Sequence, residues 1–364
     1  MRQLGAKLTE RLADLEAGRI SPAPPRDAAT IMVLRSTPDT APPFAIGRAE
    51  QPPEAPEEHR ASSPGEMSPD VASGTAPPFA IGRDLPPEAL GGYGGSSPRE
   101  ISLGVAPDTM APFAIGRDTQ GIGRDIQVLM LRRTAAMKFA PGAYVFPGGS
   151  VDPADYEGEI GWQGPSPAEF GARLGASAEV ARALVCAAVR ETFEEAGVLL
   201  AGAPDGGPLA APSGVSWEAD RMAVASGTLT LAELLSRRGL VLRADLLVPW
   251  ARWITPDGEP RRFDARFFAA ALPEGQEAVG HEAEADHVAW LRPADAIHAA
   301  KAGEISLLPP TATTLNDFAS AVASGAGLAD ILAERRVIEP VQPRLVLEDG
   351  AAWLVIPDGV GYPR

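Results

Sequence analysis

Cysteine, histidine and aromatic residues are scarce in this chain: one Cys, four His and 6% Phe, Trp and Tyr among 364 residues. A single thiol, Cys186, excludes both a disulfide framework and a cysteine-based metal site, and its place in an apolar helical run marks it as inert packing. Positive charge is short as well. Lys and Arg number 32 against 48 Asp and Glu, a net charge of −16, which excludes the clustered cations of a duplex-binding protein. No apolar run reaches the ~18 residues of a membrane span. The opening "MRQLGAKLTERLADLEAGRI" lacks the apolar core of a secretion signal, and its leucines at 4, 8, 12 and 15 predict a short amphipathic helix. The expectation is a soluble, cytoplasmic protein that binds neither nucleic acid nor membrane.

Glycine and proline are abundant: Gly 38 and Pro 37 together exceed a fifth of the chain, a sign of substantial irregular sequence. They are unevenly spread. After a helix and linker over residues 1–26, a strand-like run "AATIMVLR" lies within 27–37, and a second, "IQVLMLRRT", starts at Ile126. Residues 38–123 between them are rich in Pro, Gly and Ser and carry three related segments: "TAPPFAIGR" ending at Arg48 and at Arg83, and "TMAPFAIGR" ending at Arg117. The sequence between these segments does not repeat and holds too little apolar material to stack as a solenoid. The composition predicts a low-complexity insertion that does not offset its ordering entropy. Long insertions are thermodynamically cheap, so the flanking strands can still pair as a hairpin.

Residues 124–315 read as the main domain, and 316–364 as a C-terminal helix and hairpin. "FPGGS" (146–150) predicts a tight turn. "SPAEF" (166–170) is a capping box with Pro167 at the first helical position. A longer helix is predicted from Ser177 to about Ala196, stopped by Gly197. "TLAELLSRRG", "PADAIHAAKAG" and "TATTLNDFASAVAS" are further helices, "PWARWIT" and "RRFDARFFAAAL" form an aromatic-rich hairpin, "HVAWL" is a strand and "RLVLEDGAAWLVI" a terminal hairpin on Asp349-Gly350. This mixture favours an α/β (α+β) fold, a mixed sheet sandwiched between helices.

The densest chemistry lies in "RETFEEAGVLL", Arg190 to Leu200. At about 100° per residue, Glu191, Glu194 and Glu195 share one face of a helix's last turn, where the helix dipole and their mutual repulsion are unfavourable. Either this is a solvated acidic helix end or the carboxylates face a hard divalent cation. Arg190, four before Glu194, can brace one of them.

Gly149, Asp155 and the run Arg190-Glu191-Thr192-Phe193-Glu194-Glu195-Ala196-Gly197-Val198 together resemble the Nudix box, G-x5-E-x7-R-E-U-x-E-E-x-G-U with U aliphatic. Three departures are visible: Asp155 stands at the first glutamate, Thr192 at an aliphatic position, and residues 156–189 lie where seven residues are usual. The resemblance therefore includes a box split by an insertion over 156–176, as in the coenzyme A-directed branch of the family. "RRTAAMKFAPGAYVFPGG" is similar to that branch's R-x3-G-x3-F-P-G-G signature, with Lys138 in the arginine slot. Lysine keeps the charge and loses the bidentate fork.

The resemblance implies a Nudix fold and a Mg²⁺- or Mn²⁺-dependent diphosphatase acting on a small nucleoside-diphosphate-type substrate. Coenzyme A or acyl-coenzyme A would give 3′,5′-ADP and (acyl-)4′-phosphopantetheine; ADP-ribose, dinucleotides and nucleotide sugars are the alternative substrates, and a non-catalytic ligand-binding module the alternative class. A homodimer is compatible with either. It implies metal ligation by Glu191, Glu194, Glu195 and the Gly149 carbonyl, with Arg190 as the brace. Gly148 and Gly149 would approach the substrate, and Arg133, Lys138, Arg262 and Arg266 are candidate phosphate contacts. "GHEAEADHVAWL" offers Glu282 and Glu284 as a general base, with Glu284 preferred. A zinc site there is rejected, because Ala285 breaks His-Glu-x-x-His and His281 and His287 would not share a helical face. Trp250, Trp253, Phe263 and Phe267 are assigned to the core, with stacking of one of them on an adenine as the alternative.

Overall fold

A computed structural model describes residues 2–3, 6–36, 126–137, 139–207, 209, 211–280, 285–357 and 360. The insertion of 38–123 and its three related segments lie outside these residues.

The centre of the fold is the strand Arg26–Ser36. Its apolar side chains alternate, and both sets are buried: Ile31 and Val33 enter one core, Met32 and Leu34 the other. A strand buried on both faces explains the near-continuous apolar run in its sequence. The strand pairs antiparallel with Ile126–Arg133 at its end, Ser36 opposite Ile126, so the flanking strands do meet as a hairpin. It also pairs parallel with Phe263–Ala271 in an unbroken register from Phe263↔Arg26 to Ala271↔Leu34. Among the described residues, nine strands form this mixed sheet. The hairpin partner Val248–Ile254 lies beyond Phe263–Ala271, and Ala285–Leu291 pairs with Ile126–Arg133.

Helices cover both faces, as the sequence predicts. Phe170 from helix Pro167–Leu174, Leu184 and Phe193 from helix Ala178–Ala196, and Leu234 from helix Leu231–Arg238 fill one core. Ile297 from helix Pro293–Lys301 and Leu315 and Phe318 from helix Pro309–Ala323 fill the other, with Trp250, Trp253 and Phe267. Edge-on packing of Trp250 on Phe318, with centroids 5.4 Å apart, adds a directional contact to that burial. Phe263 is only half-buried, at the start of its strand.

The 156–176 segment is folded into the domain. Trp162–Gln163 pairs with Val241–Arg243, which also pairs with Ala201–Gly202, making a small three-stranded sheet beside the main one. Helix Ala6–Glu16 buries Leu8 and Leu12, and Arg11 Nε donates to the Gly258 carbonyl at 2.9 Å, tying the helix to the loop of the aromatic hairpin. Among the described residues no helix is long and apolar enough to cross a membrane.

Candidate functional site

Helix Ala178–Ala196 begins with Ser177 Oγ accepting from the Val180 amide and ends where Gly197 takes φ 67°, a left-handed stop that favours glycine. From Ala183 to Val189 every side chain is buried. Its last turn emerges, and there Arg190, Glu191, Glu194 and Glu195 are half-buried. Thr192, at the aliphatic position, is fully buried, with its hydroxyl donating to the Ala188 carbonyl at 2.8 Å. Back-bonding to the preceding turn satisfies that hydroxyl, so threonine is tolerated in the core.

Arg190 organises the acidic turn. Its Nε and Nη2 donate to the two oxygens of Asp155 at 3.0 and 2.9 Å, a bidentate pair. Its Nη1 donates to Glu191 at 2.9 Å and to Glu194 at 3.1 Å, and Nη2 also reaches the Ser150 carbonyl at 3.1 Å. Asp155 is buried in the short helix Pro153–Tyr156, whose N-terminus it closes by accepting from the Asp152 amide at 2.8 Å. One helical turn thus anchors the insertion's start to the glutamate helix. Arg182, two turns earlier, completes the clamp on the Asp155, Glu157 and Gly158 carbonyls at 2.9, 3.2 and 2.6 Å.

Gly148–Ser150 is not the tight turn expected from its glycines. It is a short strand added to Arg26–Ser36, with Gly149 opposite Ala29. The glycines serve close approach. A Cβ at Gly148 would lie 2.5 Å from the Ala29 carbonyl, and one at Gly149 2.5 Å from the Glu191 carboxyl carbon. The Gly148 amide donates to Glu195 Oε2 at 2.9 Å. Glu191 and Glu195 therefore face the same Phe-Pro-Gly-Gly corner from successive turns of one helix.

Three carboxylates share one guanidinium here, with Glu195 one residue further on. Burial, opposed by Arg190 and reinforced by Glu194 and Asp155, pushes the Glu191 carboxyl up to about 7. Burial works against the Arg190 charge, but Asp155, Glu191 and Glu194 outweigh it and raise its pKa. A half-buried cluster with surplus negative charge and only oxygen donors suits a hard divalent cation. Among the described residues no three acidic, His or Cys side chains already stand as a ready-made coordination shell. Glu191 and Glu194 are turned to Arg190, and Glu195 to the Gly148 amide. Glu191, Glu194 and Glu195 would hold the ion by exchanging some of these hydrogen bonds for ligation.

Residues 168–317 match the family described as the NUDT19 Nudix domain. The chain thus resembles a Nudix hydrolase of the NUDT19 kind. It is similar to the acyl-coenzyme A diphosphatase NUDT19 of Gallus gallus, 31% identical over 224 residues, which span 51% of this chain and 59% of that protein. The Homo sapiens protein of the same name is 31% identical over 220 residues, 50% of this chain and 58% of that one. The chain thus covers less than two thirds of either relative. A crystal structure of a NUDIX hydrolase from Alicyclobacillus acidocaldarius aligns with 60% of this chain and 92% of its own, at 30% identity and a TM-score of 0.48.

Arg133 lines a small cleft with Glu195, Leu131, Val145 and Ala285, and its Nε donates to the Phe139 carbonyl at 3.0 Å. Lys138, His281, Glu282 and Glu284 lie outside the described residues; Glu284 directly precedes the cleft-lining Ala285. Arg262 does not join the group. It is buried, donating to the Thr255 and Ala23 carbonyls at 3.0 and 2.7 Å and pairing with Asp257 at 2.6 Å, so it fastens the aromatic hairpin to the N-terminal linker. Arg266 is likewise buried, paired with Asp27 and Asp264 at 2.5 and 3.0 Å. Sequence spacing shows that these arginines sit on a hairpin; it does not show that Asp257, Asp27 and Asp264 pair with their guanidinium groups.

A surface cleft of ≈490 Å³ lies elsewhere, between the 154–159 segment and helix Leu231–Arg238. None of the glutamates of the box lines it, so size does not mark the site. Sequence reading also missed Arg182, Arg221 and Gln276, which hold the glutamate helix at both ends. Only Arg221 left a local signal, Glu218 three residues before it on a helix.

Proposed function

We propose that this chain is a metal-dependent Nudix hydrolase that cleaves the diphosphate linkage of coenzyme A or an acyl-coenzyme A, giving 3′,5′-ADP and (acyl-)4′-phosphopantetheine. The observation that carries the reading is the convergence of Glu191 and Glu195 on the Gly148-Gly149 corner, with Arg190 bracing Glu191 and Glu194. The substrate class is supported by the names of the relatives and by the similarity of 132–149 to the coenzyme A-directed signature.

A divalent cation, Mg²⁺ or Mn²⁺, supplies charge neutralisation on the bridging phosphates and lowers the pKa of a bound water when it is present. The chain's own residues do the rest. Glu191, Glu194 and Glu195 hold the ion, with the Gly149 carbonyl as a further donor. Arg190 keeps two of these carboxylates apart and oriented. Arg133, in the cleft beside Glu195, neutralises a substrate phosphate, and Lys138 serves the same charge. Glu284, adjacent in sequence to the cleft-lining Ala285, accepts the proton of the attacking water, while an O–P bond forms and the bridging P–O bond breaks. Truncating Glu284 would then lower kcat with little change in KM.

A panel of diphosphates assayed with Mg²⁺ and with Mn²⁺ tests the substrate. Turnover of coenzyme A above ADP-ribose and dinucleotides is the expected result. Preference for ADP-ribose would move the reading to the broader nucleoside-diphosphate class, and binding without turnover of any member would make the domain a ligand-binding module.

Metal uptake has a pH signature. The Glu191 carboxyl titrates above its ordinary range in the folded chain, so its share of apo-protein stability is present below that range and is lost as pH rises through about 7. A cation removes the burden by taking the charged form. The Mn²⁺-induced rise in Tm is expected to grow between about pH 5.5 and about pH 8, with proton release on binding over the same window. A metal shift independent of pH would remove Glu191 from the ligand set.

A further inference from the structure

The loop after strand Phe263–Ala271 returns to the carbonyl end of the glutamate helix and is fastened there three times. Gln276 is 4% exposed, and its side-chain amide makes two hydrogen bonds to one backbone unit, accepting from the Leu199 amide at 2.9 Å and donating to the Leu199 carbonyl at 3.0 Å. The Val279 amide donates to the Ala196 carbonyl at 2.9 Å. Arg221, 5% exposed on helix Val215–Ala225, supplies the third fastening: its Nη1 donates to the Val279 carbonyl at 2.9 Å and to the Glu194 carbonyl at 3.4 Å.

The other donors of Arg221 are fixed. Nε and Nη2 both go to Glu218 at 3.0 Å, a fork-to-fork pair that orients the guanidinium plane. The remaining nitrogen is thereby aimed at two carbonyls that belong to different segments. One is the carbonyl of Glu194, an acidic residue of the box, in the last turn, where backbone acceptors lack intrahelical donors and a cation is favourable. The other is the carbonyl of Val279, six positions before Ala285, which lines the cleft beside Glu195.

Resting on the hydrolase reading above, we infer that Arg221 is a positioning residue: it locks the 273–280 loop to the last turn of the glutamate helix and so fixes the cleft rim against Glu194 and Glu195. Arg221 touches neither substrate nor ion; it acts through the backbone of Glu194 and Val279. Two fastenings, Gln276 on Leu199 and the Val279 amide on Ala196, do not need the arginine. Its removal therefore leaves the loop attached and loosens its far end.

The test uses the full chain carrying Arg221→Gln, with Arg221→Lys for rescue. Hydrogen exchange at the Val279 amide and Mn²⁺ affinity are measured beside kcat and KM on coenzyme A. Arg221→Gln is expected to speed exchange at Val279 and to weaken Mn²⁺ binding and kcat by about tenfold with KM little changed, and Arg221→Lys to recover part of each. Glu218→Gln removes the orienting partner from the surface side, where Glu218 is 55% exposed, and should shift the same readouts in the same direction by less. It serves if Arg221→Gln does not fold. Unchanged exchange at Val279 overturns the fastening, and faster exchange with unchanged Mn²⁺ affinity and kcat overturns the positioning role. A wild-type chain that binds Mn²⁺ without hydrolysing any diphosphate counts against the hydrolase reading, while exchange and Mn²⁺ affinity still decide the role of Arg221.

Discussion

Glu195→Gln is expected to lower Mg²⁺-dependent kcat by about three orders of magnitude while Tm stays within a degree or two of the parent. The two halves of that expectation have separate physical grounds. Glutamine keeps the shape of the side chain and an oxygen able to accept from the Gly148 amide, the 2.9 Å bond that ties the helix to its corner. The corner should therefore stay closed. What disappears is the negative charge beside the cleft lined by Arg133 and Ala285, and with it a ligand for the ion that neutralises the phosphates. Steady-state kinetics and a thermal melt on the same preparation read both halves. Retained activity would remove Glu195 from the chemistry, and a collapsed melt would make its role structural.

Asp155→Ala carries the largest expected loss of stability. Its side chain is 2% exposed and the Arg190 side chain 12%, so the substitution strips a nearly buried guanidinium of its bidentate partner. Breaking such a pair costs about 3–5 kcal/mol. Glu191 and Glu194 remain on Nη1, which sets the loss at the lower end, and a fall in Tm of roughly 10 °C follows. Activity should fall too, because Arg190 is then free to draw Glu191 and Glu194 further from the corner. Asp155→Asn keeps an acceptor for the Asp152 amide and should lose less stability. Denaturant melts and kcat on the three proteins check the order; equal stability of parent and Asp155→Ala would show that Arg190 needs no partner there.

Local signals were legible where they rest on short-range chemistry. The capping box at Ser166 and the left-handed stops at Gly197 and Gly239 form as their residue types demand. So does the terminal hairpin, where Asp349 and Gly350 both take positive φ. The acidic face of the last turn follows from helical periodicity alone. The fate of Gly148-Gly149 was harder to read, because glycines that permit a tight turn equally permit close approach of a strand to a helix, and sequence does not say which neighbour arrives.

Spacing of apolar, capping and acidic residues along the chain was enough to determine the main helices and long strands, the charge pattern of the glutamate helix and its likeness to a divided Nudix box. Tertiary structure alone decided that Asp155 closes on Arg190 across 34 intervening positions (156–189), that Arg262 and Arg266 are buried against the Ala23 carbonyl of the N-terminal linker and Asp27 of strand Arg26–Ser36, and that Arg221 and Gln276 bind the loop to the helix end. The reason is common to all three. Which donors a buried arginine keeps for a ligand depends on the carbonyls and carboxylates that packing brings within hydrogen-bond reach, and those come from segments far apart in the chain.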